Sequence, residues 1–143
     1  MKPGRRLAFD YGQVRIGVAA SDFSGLIASP IATLQAQSSD LTAQLVTLLT
    51  QYEPIYLVVG QPKHLSGNQS ATMESVRSFA ELLRTLSAAP IHFIDERLST
   101  VSAARTLRNA GGNAKTSKSQ IDAMAAVAIL ESALDKERLS GGL

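Results

Sequence analysis

The spacing of apolar and polar positions changes its period near residue 40. Before it, Arg6–Asp10 and Arg15–Ser21 read as two strand-like runs joined by a short turn over residues 11–14. Leu26–Leu34 reads as a third strand, weakened by Pro30. From Asp40 the spacing is helical: Leu41, Leu45, Leu48, Leu49 and Tyr52 form one stripe, which Pro54 ends. Ile55–Val59 is a continuous apolar run closed by Gly60, the pattern of a strand buried on both faces. Val76, Phe79, Ala80 and Leu83 mark a second helix that stops before Ala89-Pro90, and Ile91–Asp95 is a further strand. Ser99–Ala110 predicts a third helix ended by Gly111-Gly112. The last helix opens near Ser119 and runs to about Leu134. It is apolar on most sides up to Leu130, which predicts substantial burial.

The order β-β-β-α-β-α-β-α-α, a meander followed by crossovers, predicts an α/β fold with a mixed sheet and helices on both faces. No linker, repeat or low-complexity tract interrupts it, apart from a frayed tail at Ser140, so residues 1–143 are expected to form a single domain. That length buries roughly two-thirds of the unfolded surface without staples. There are no cysteines, which excludes disulfides, thiolate catalysis and cysteine-based metal sites. His64 and His92 are isolated. No apolar run approaches the roughly 20 residues of a membrane span, and no secretory signal is present, so a soluble cytoplasmic protein is expected.

Net charge is only +2, but its distribution is uneven. Arg97, Arg105, Arg108, Lys115 and Lys118 fall in a stretch without Asp or Glu, and Lys2, Arg5, Arg6 and Arg15 add to the N-terminal end. This permits a positive surface for a polyanion, or equally a solvated helix face and loop.

Among the acids, Glu74, Glu81, Glu131, Asp135 and Glu137 sit at polar helix positions and are expected to be wet. Three places differ. Asp10 ends one strand, Asp95-Glu96 ends another, and Asp122 lies within the apolar stretch of the last helix. Ligands of open α/β sheets bind beyond the carboxyl ends of the strands, so if the two strands are neighbours their carboxylates converge. Clustered carboxylates repel unless a cation sits among them. Oxygen-only ligation favours Mg²⁺ or Mn²⁺, and two such ions activate water and stabilise the leaving oxygen of a phosphodiester. Each acid also has a plainer explanation. Asp10 suits a hairpin turn. Ser119-x-x-Asp122 suits a capping box, although Asp122 shares a helix face with Ala125, Ala126 and Ile129. Asp95 and Glu96 face opposite sides of a strand, so only one reaches a common site, and Arg97 can pair with the other.

Phe9-Asp10-Tyr11-Gly12, Arg15-Ile16-Gly17-Val18-Ala19, Val59-Gly60-Gln61-Pro62 with Gly67, Asp95-Glu96-Arg97-Leu98-Ser99-Thr100 and Ile121-Asp122-Ala123-Met124-Ala125-Ala126 occur in that order. Together they resemble the YqgF, or RuvX-like, family over residues 7 to about 134. The resemblance implies a ribonuclease H-like fold with a five-stranded mixed sheet. It also implies a nuclease that matures the 5′ end of pre-16S ribosomal RNA, or a Holliday-junction resolvase. It casts Asp10, Glu96 and Asp122 as catalytic metal ligands, with Asp95 as the fallback for Glu96. Gln61 and Ser99 depart from the family pattern without removing a ligand.

Gly12 and Gly17 can let backbone approach a phosphate, or serve turn geometry and strand packing. Arg15 is a candidate phosphate partner. Lys63, in the polar loop 61–70, and Arg97, Arg105 and Lys118 extend the candidate track for a structured RNA. The alternatives are a four-way DNA junction as substrate, a noncatalytic RNA-binding assembly factor, and an actin-like ATPase or sugar kinase suggested by Asp10-x-Gly12 with Asp22. The last lacks the length and the second phosphate loop. A monomer and a homodimer both remain open.

Overall fold

The computed structural model describes residues 2–61, 73–95 and 118–141. Five strands, β1 (Arg6–Tyr11), β2 (Arg15–Ser21), β3 (Ala28–Gln35), β4 (Tyr56–Gln61) and β5 (Ile91–Asp95), accompany α1 (Leu41–Tyr52), α2 (Met73–Leu86) and α3 (Lys118–Ser140). The helix expected at Ser99–Ala110 lies outside the described residues.

The first two strands form a tight hairpin in which the Gly12 N–H donates to the Arg15 carbonyl at 3.0 Å. A Cβ on Gly12 would fall 2.7 Å from that oxygen, which accounts for glycine in the turn. The third strand begins two residues later than the hydrophobic pattern suggested, because Asp22 organises the preceding turn. Its carboxylate accepts the N–H groups of Leu26 and Ile27 at 2.9 and 3.2 Å, and these bonds hold it below the usual carboxylate range. Pro30 is tolerated because β3 is an edge strand, and the ladder is irregular between Val18 and Ala19, where Pro30 pairs.

The sheet order is β3-β2-β1-β4-β5, with β2 antiparallel to both of its neighbours and β1, β4 and β5 mutually parallel. Alternation divides the core in two. Leu7, Phe9, Ile16, Val18, Leu57 and Val59 pack with Leu45 and Leu49 of α1 and Val76, Phe79 and Leu83 of α2. Ala8, Ala19, Tyr56, Val58 and Ile94 pack on the other face against Ala126, Ile129, Leu130, Ala133 and Leu134 of α3. The helices therefore cover both faces, as the pattern predicted. The core residues that β1 and β2 contribute to the α3 face, Ala8 and Ala19, are both small, so a long helix can lie close to the strands.

Helix α3 runs six residues past its expected end, and the reason corrects two assignments. Arg6, expected on a basic surface, is fully buried, and Glu137, expected to be wet, is only 6 % exposed. The Arg6 guanidinium donates to Glu137 Oε2 at 3.0 Å and to the carbonyls of Gly4 and Lys2 at 2.5 and 2.7 Å. The Tyr56 hydroxyl donates to Glu137 Oε1 at 2.8 Å. Burial alone would raise the Glu137 carboxyl, but the hydrogen bonds from Arg6 and Tyr56 and the Arg6 charge outweigh it and hold the group below its ordinary range. Burial and the same carboxylate push the Tyr56 hydroxyl well up. The last turns of α3 are thus fastened beneath the sheet, at the end opposite the strand termini that carry Asp10 and Asp95.

Candidate active site

Asp10 is the fifth residue of β1 and pairs across the hairpin with Gly17 of β2. Since Leu7 and Phe9 face α1 and α2 while Ala8 faces α3, alternation puts Asp10 on the α3 side. Arg15, Gly17 and Ala19 of β2 share that side. Helix α3 crosses β2 at this point. A Cβ built on Gly17 would lie 1.9 Å from the Asp122 carbonyl oxygen and 2.9 Å from the Ala123 nitrogen. Gly17 was expected to serve phosphate approach, or turn geometry and strand packing; close packing of the α3 backbone is what requires a glycine here.

The backbones of Asp10 and Asp122 therefore both lie against one glycine, although 112 positions separate them. The helix begins at Lys118, so Ser119 lies inside it and does not cap its N-terminus. Asp122 is reached from a second direction as well. Arg15 Nε donates to Asp122 Oδ2 at 2.6 Å, both side chains remaining about a quarter exposed, at 30 % and 24 %. The pair was not foreseen. Its signal was available, since Arg15 and Gly17 lie two apart on one strand face and Asp122 interrupts an apolar helix face.

The second acidic position requires a correction. β1 and β5 are not neighbours, because β4 lies between them. Two strand spacings, about 10 Å, separate Asp10 from β5. Ile91 and Phe93 pack on the α1/α2 side and Ile94 on the α3 side, so Asp95 follows Phe93 onto the face opposite Asp10. Glu96, Arg97, Lys63 and Arg105 lie outside the described residues. Lys118 opens α3, but its side chain is not among those described. Gln61 ends β4 opposite Asp95. His92 packs edge-on against the Tyr56 ring at 5.3 Å, a structural contact.

The carboxylates of Asp10 and Asp122 offer oxygen donors alone, on one partly exposed face, and this chemistry fits a hard divalent cation. Among the described residues no three His, Cys, Asp or Glu side chains converge, so a complete donor set needs a further ligand. Asp22, part of the kinase-like resemblance, is occupied by its own turn at the other end of β2. No helix of the described residues is long and apolar enough to cross a membrane.

This fold is shared with known structures. Thermus thermophilus RuvC in complex with a Holliday junction superposes with a TM-score of 0.64, 15 % identity and coverage of 96 % of both chains. A second T. thermophilus RuvC structure gives 0.63 at 13 % identity, over 95 % of this chain and 97 % of that one. The fold is ribonuclease H-like. The sequence profile of RuvX, described as "Holliday junction resolvase", matches residues 4–136. The chain belongs to the RuvX family. A Streptomyces avermitilis relative named "Putative pre-16S rRNA nuclease" is 43 % identical over 145 residues, covering 99 % of this chain and 92 % of its own. A Mycolicibacterium smegmatis relative of the same name is 42 % identical over 140 residues, covering 94 % of this chain and 82 % of its own.

Proposed function

We propose that the chain is a divalent-cation-dependent nuclease, acting as a single cytoplasmic domain, that hydrolyses phosphodiester bonds at the 5′ end of precursor 16S ribosomal RNA. The observation that supports the site is that Asp10 is the cross-strand partner of Gly17, against which the Asp122 backbone packs. Asp10, Asp122 and Glu96 would hold Mg²⁺ or Mn²⁺. Glu96 is preferred over Asp95, which strand alternation turns to the face opposite Asp10. Held there, a pair of such ions would supply an activated water and stabilise the leaving oxygen.

The remaining steps belong to the chain's own side chains. Asp10 and Asp122 fix the position at which a phosphate can lie. Arg15, already beside Asp122 and partly exposed, has further N–H groups with which to hold a phosphate oxygen. Gly12 leaves the turn next to Asp10 without a side chain to obstruct an approaching strand. Lys63, Arg97, Arg105 and Lys118 are proposed to contact the RNA backbone, making recognition depend on shape and charge more than on sequence. Relatives at 43 % identity named for ribosomal RNA support RNA as the substrate. The family description favours a second reading, incision of a four-way DNA junction by the same acids.

Purified protein incubated with Mg²⁺ or Mn²⁺ and a labelled 5′ precursor, beside a DNA four-way junction, separates these readings. Wild type is expected to cleave the RNA. Asp10→Asn and Asp122→Asn should each lower the rate by about 10²-fold or more while preserving the circular-dichroism spectrum and most RNA affinity. Undiminished cleavage in EDTA, or by either variant, would refute the metal-centre reading. Preferential junction cleavage would move the substrate to DNA.

A further inference from the structure

We infer that Gly17 is a positioning residue for the candidate metal centre: its missing side chain sets the gap between Asp10 and Asp122. The inference rests on the reading of those two acids as metal ligands. The geometry is local and specific. Gly17 is the cross-strand partner of Asp10, and such partners have Cα atoms roughly 4.5–5.5 Å apart. Its absent Cβ would point at the α3 backbone, 1.9 Å from the Asp122 oxygen, 2.4 Å from the Asp122 carbonyl carbon and 2.9 Å from the Ala123 nitrogen. All three are main-chain atoms, so no rotamer change can relieve the overlap. The helix must lift or the strand must sink by about 1 Å before even a methyl group fits.

The next residue of β2 on that face, Ala19, carries its Cβ within the packed α3 interface. Methyl-bearing residues are therefore accommodated further along the same strand, and the exclusion of a Cβ is confined to the end that holds the acids. Alanine at position 17 would move Asp122 relative to Asp10 without removing either carboxylate. Mg²⁺ demands oxygen distances near 2.0–2.1 Å in near-octahedral array, whereas Ca²⁺ accepts 2.3–2.6 Å in irregular ones. A gap widened by about 1 Å should therefore penalise Mg²⁺ selectively. Loss of stability alone would not discriminate between the two ions.

The test is calorimetric titration of wild type, Gly17→Ala, Ala133→Val and Asp10→Asn with Mg²⁺ and with Ca²⁺. Ala133→Val overpacks the same helix–sheet interface about 16 Å along α3 from Asp122 and controls for destabilisation. Gly17→Ala should bind Mg²⁺ about tenfold or more weakly, with Ca²⁺ affinity changed less than about threefold, while Ala133→Val matches wild type for both ions. Equal losses for the two ions, the same losses in Ala133→Val, or wild-type Mg²⁺ affinity in Gly17→Ala would overturn the inference. Absence of cation binding by wild type, or retention of it by Asp10→Asn, would instead remove the metal-centre reading and the inference with it.

Should Gly17→Ala not fold, wild-type nuclear magnetic resonance decides. A nuclear Overhauser contact between Gly17 Hα and the Ala123 amide is expected, together with a Mg²⁺-induced shift of the Gly17 amide larger than that of Ala19. Absence of either overturns the inference.

Discussion

Arg15 and Asp122 form a pair whose contribution to stability and contribution to function should separate. Both side chains are partly exposed, so their attraction is screened and contributes at most about 1 kcal/mol to folding. If Arg15 also holds a phosphate beside Asp122, its removal costs far more in turnover than in stability. Arg15→Ala is therefore expected to lower the melting temperature by no more than a few degrees and RNA cleavage by about tenfold or more. Thermal unfolding and single-turnover cleavage measured on the same preparation check this. A large loss of stability with unchanged cleavage would reduce Arg15 to a structural partner of the helix. Arg15→Lys should restore little, since an ammonium lacks the planar fork that can serve Asp122 and a phosphate together.

Helix α3 depends on what fastens it at each end. At its C-terminal end the buried Arg6–Glu137–Tyr56 group joins the first strand, the fourth strand and the last helix. The folded-state carboxyl of Glu137 lies below its ordinary value, so its contribution is complete above about pH 4.5 and is lost as pH falls through the lowered value. Glu137→Gln removes the titrating group and leaves the fully buried Arg6 cation without a counter-charge, at a cost of about 3 kcal/mol near neutral pH. Urea unfolding between pH 3 and pH 7 should show wild type losing its advantage over the variant as the solution becomes acid. Parallel curves at every pH would exclude Glu137 as the source of acid sensitivity. This end of the helix was poorly legible in the sequence. Glu137 continues the buried stripe of Leu130, Ala133 and Leu134 at helical spacing, but a charged residue among Asp135, Lys136 and Arg138 reads as solvated until its partner, 131 residues away, is known. By contrast, β1, β2, β4, β5 and the stripes of α1 and α2 were legible, because each is a short apolar run or a helical stripe that burial alone enforces. The start of β3 was set by the Asp22 turn, and such hydrogen bonds leave little trace in hydrophobic spacing.

Across the whole molecule, the candidate site is a product of topology. Its described acids come from the first strand and the last described helix, and they are brought to a common glycine only when β2 is paired to β1 and α3 is laid over both. Their presence was legible as carboxylates in apolar settings. Their arrangement was not, because strand order placed β4 between β1 and β5 and alternation turned Asp95 away, neither of which is encoded in the spacing of the acids. A site assembled from both ends of the chain exists in the folded state and not in the unfolded one, so a cation held there must stabilise the fold by mass action. At a free Mg²⁺ concentration 100 times the dissociation constant the gain is about 2.7 kcal/mol, which for a chain of this length raises the melting temperature by roughly 5–10 °C. Thermal unfolding across a Mg²⁺ series at constant ionic strength should show this rise in wild type. Asp10→Asn and Asp122→Asn should respond little to Mg²⁺. A rise of equal size in all three proteins would assign the stabilisation to cations bound elsewhere and separate these two acids from metal binding.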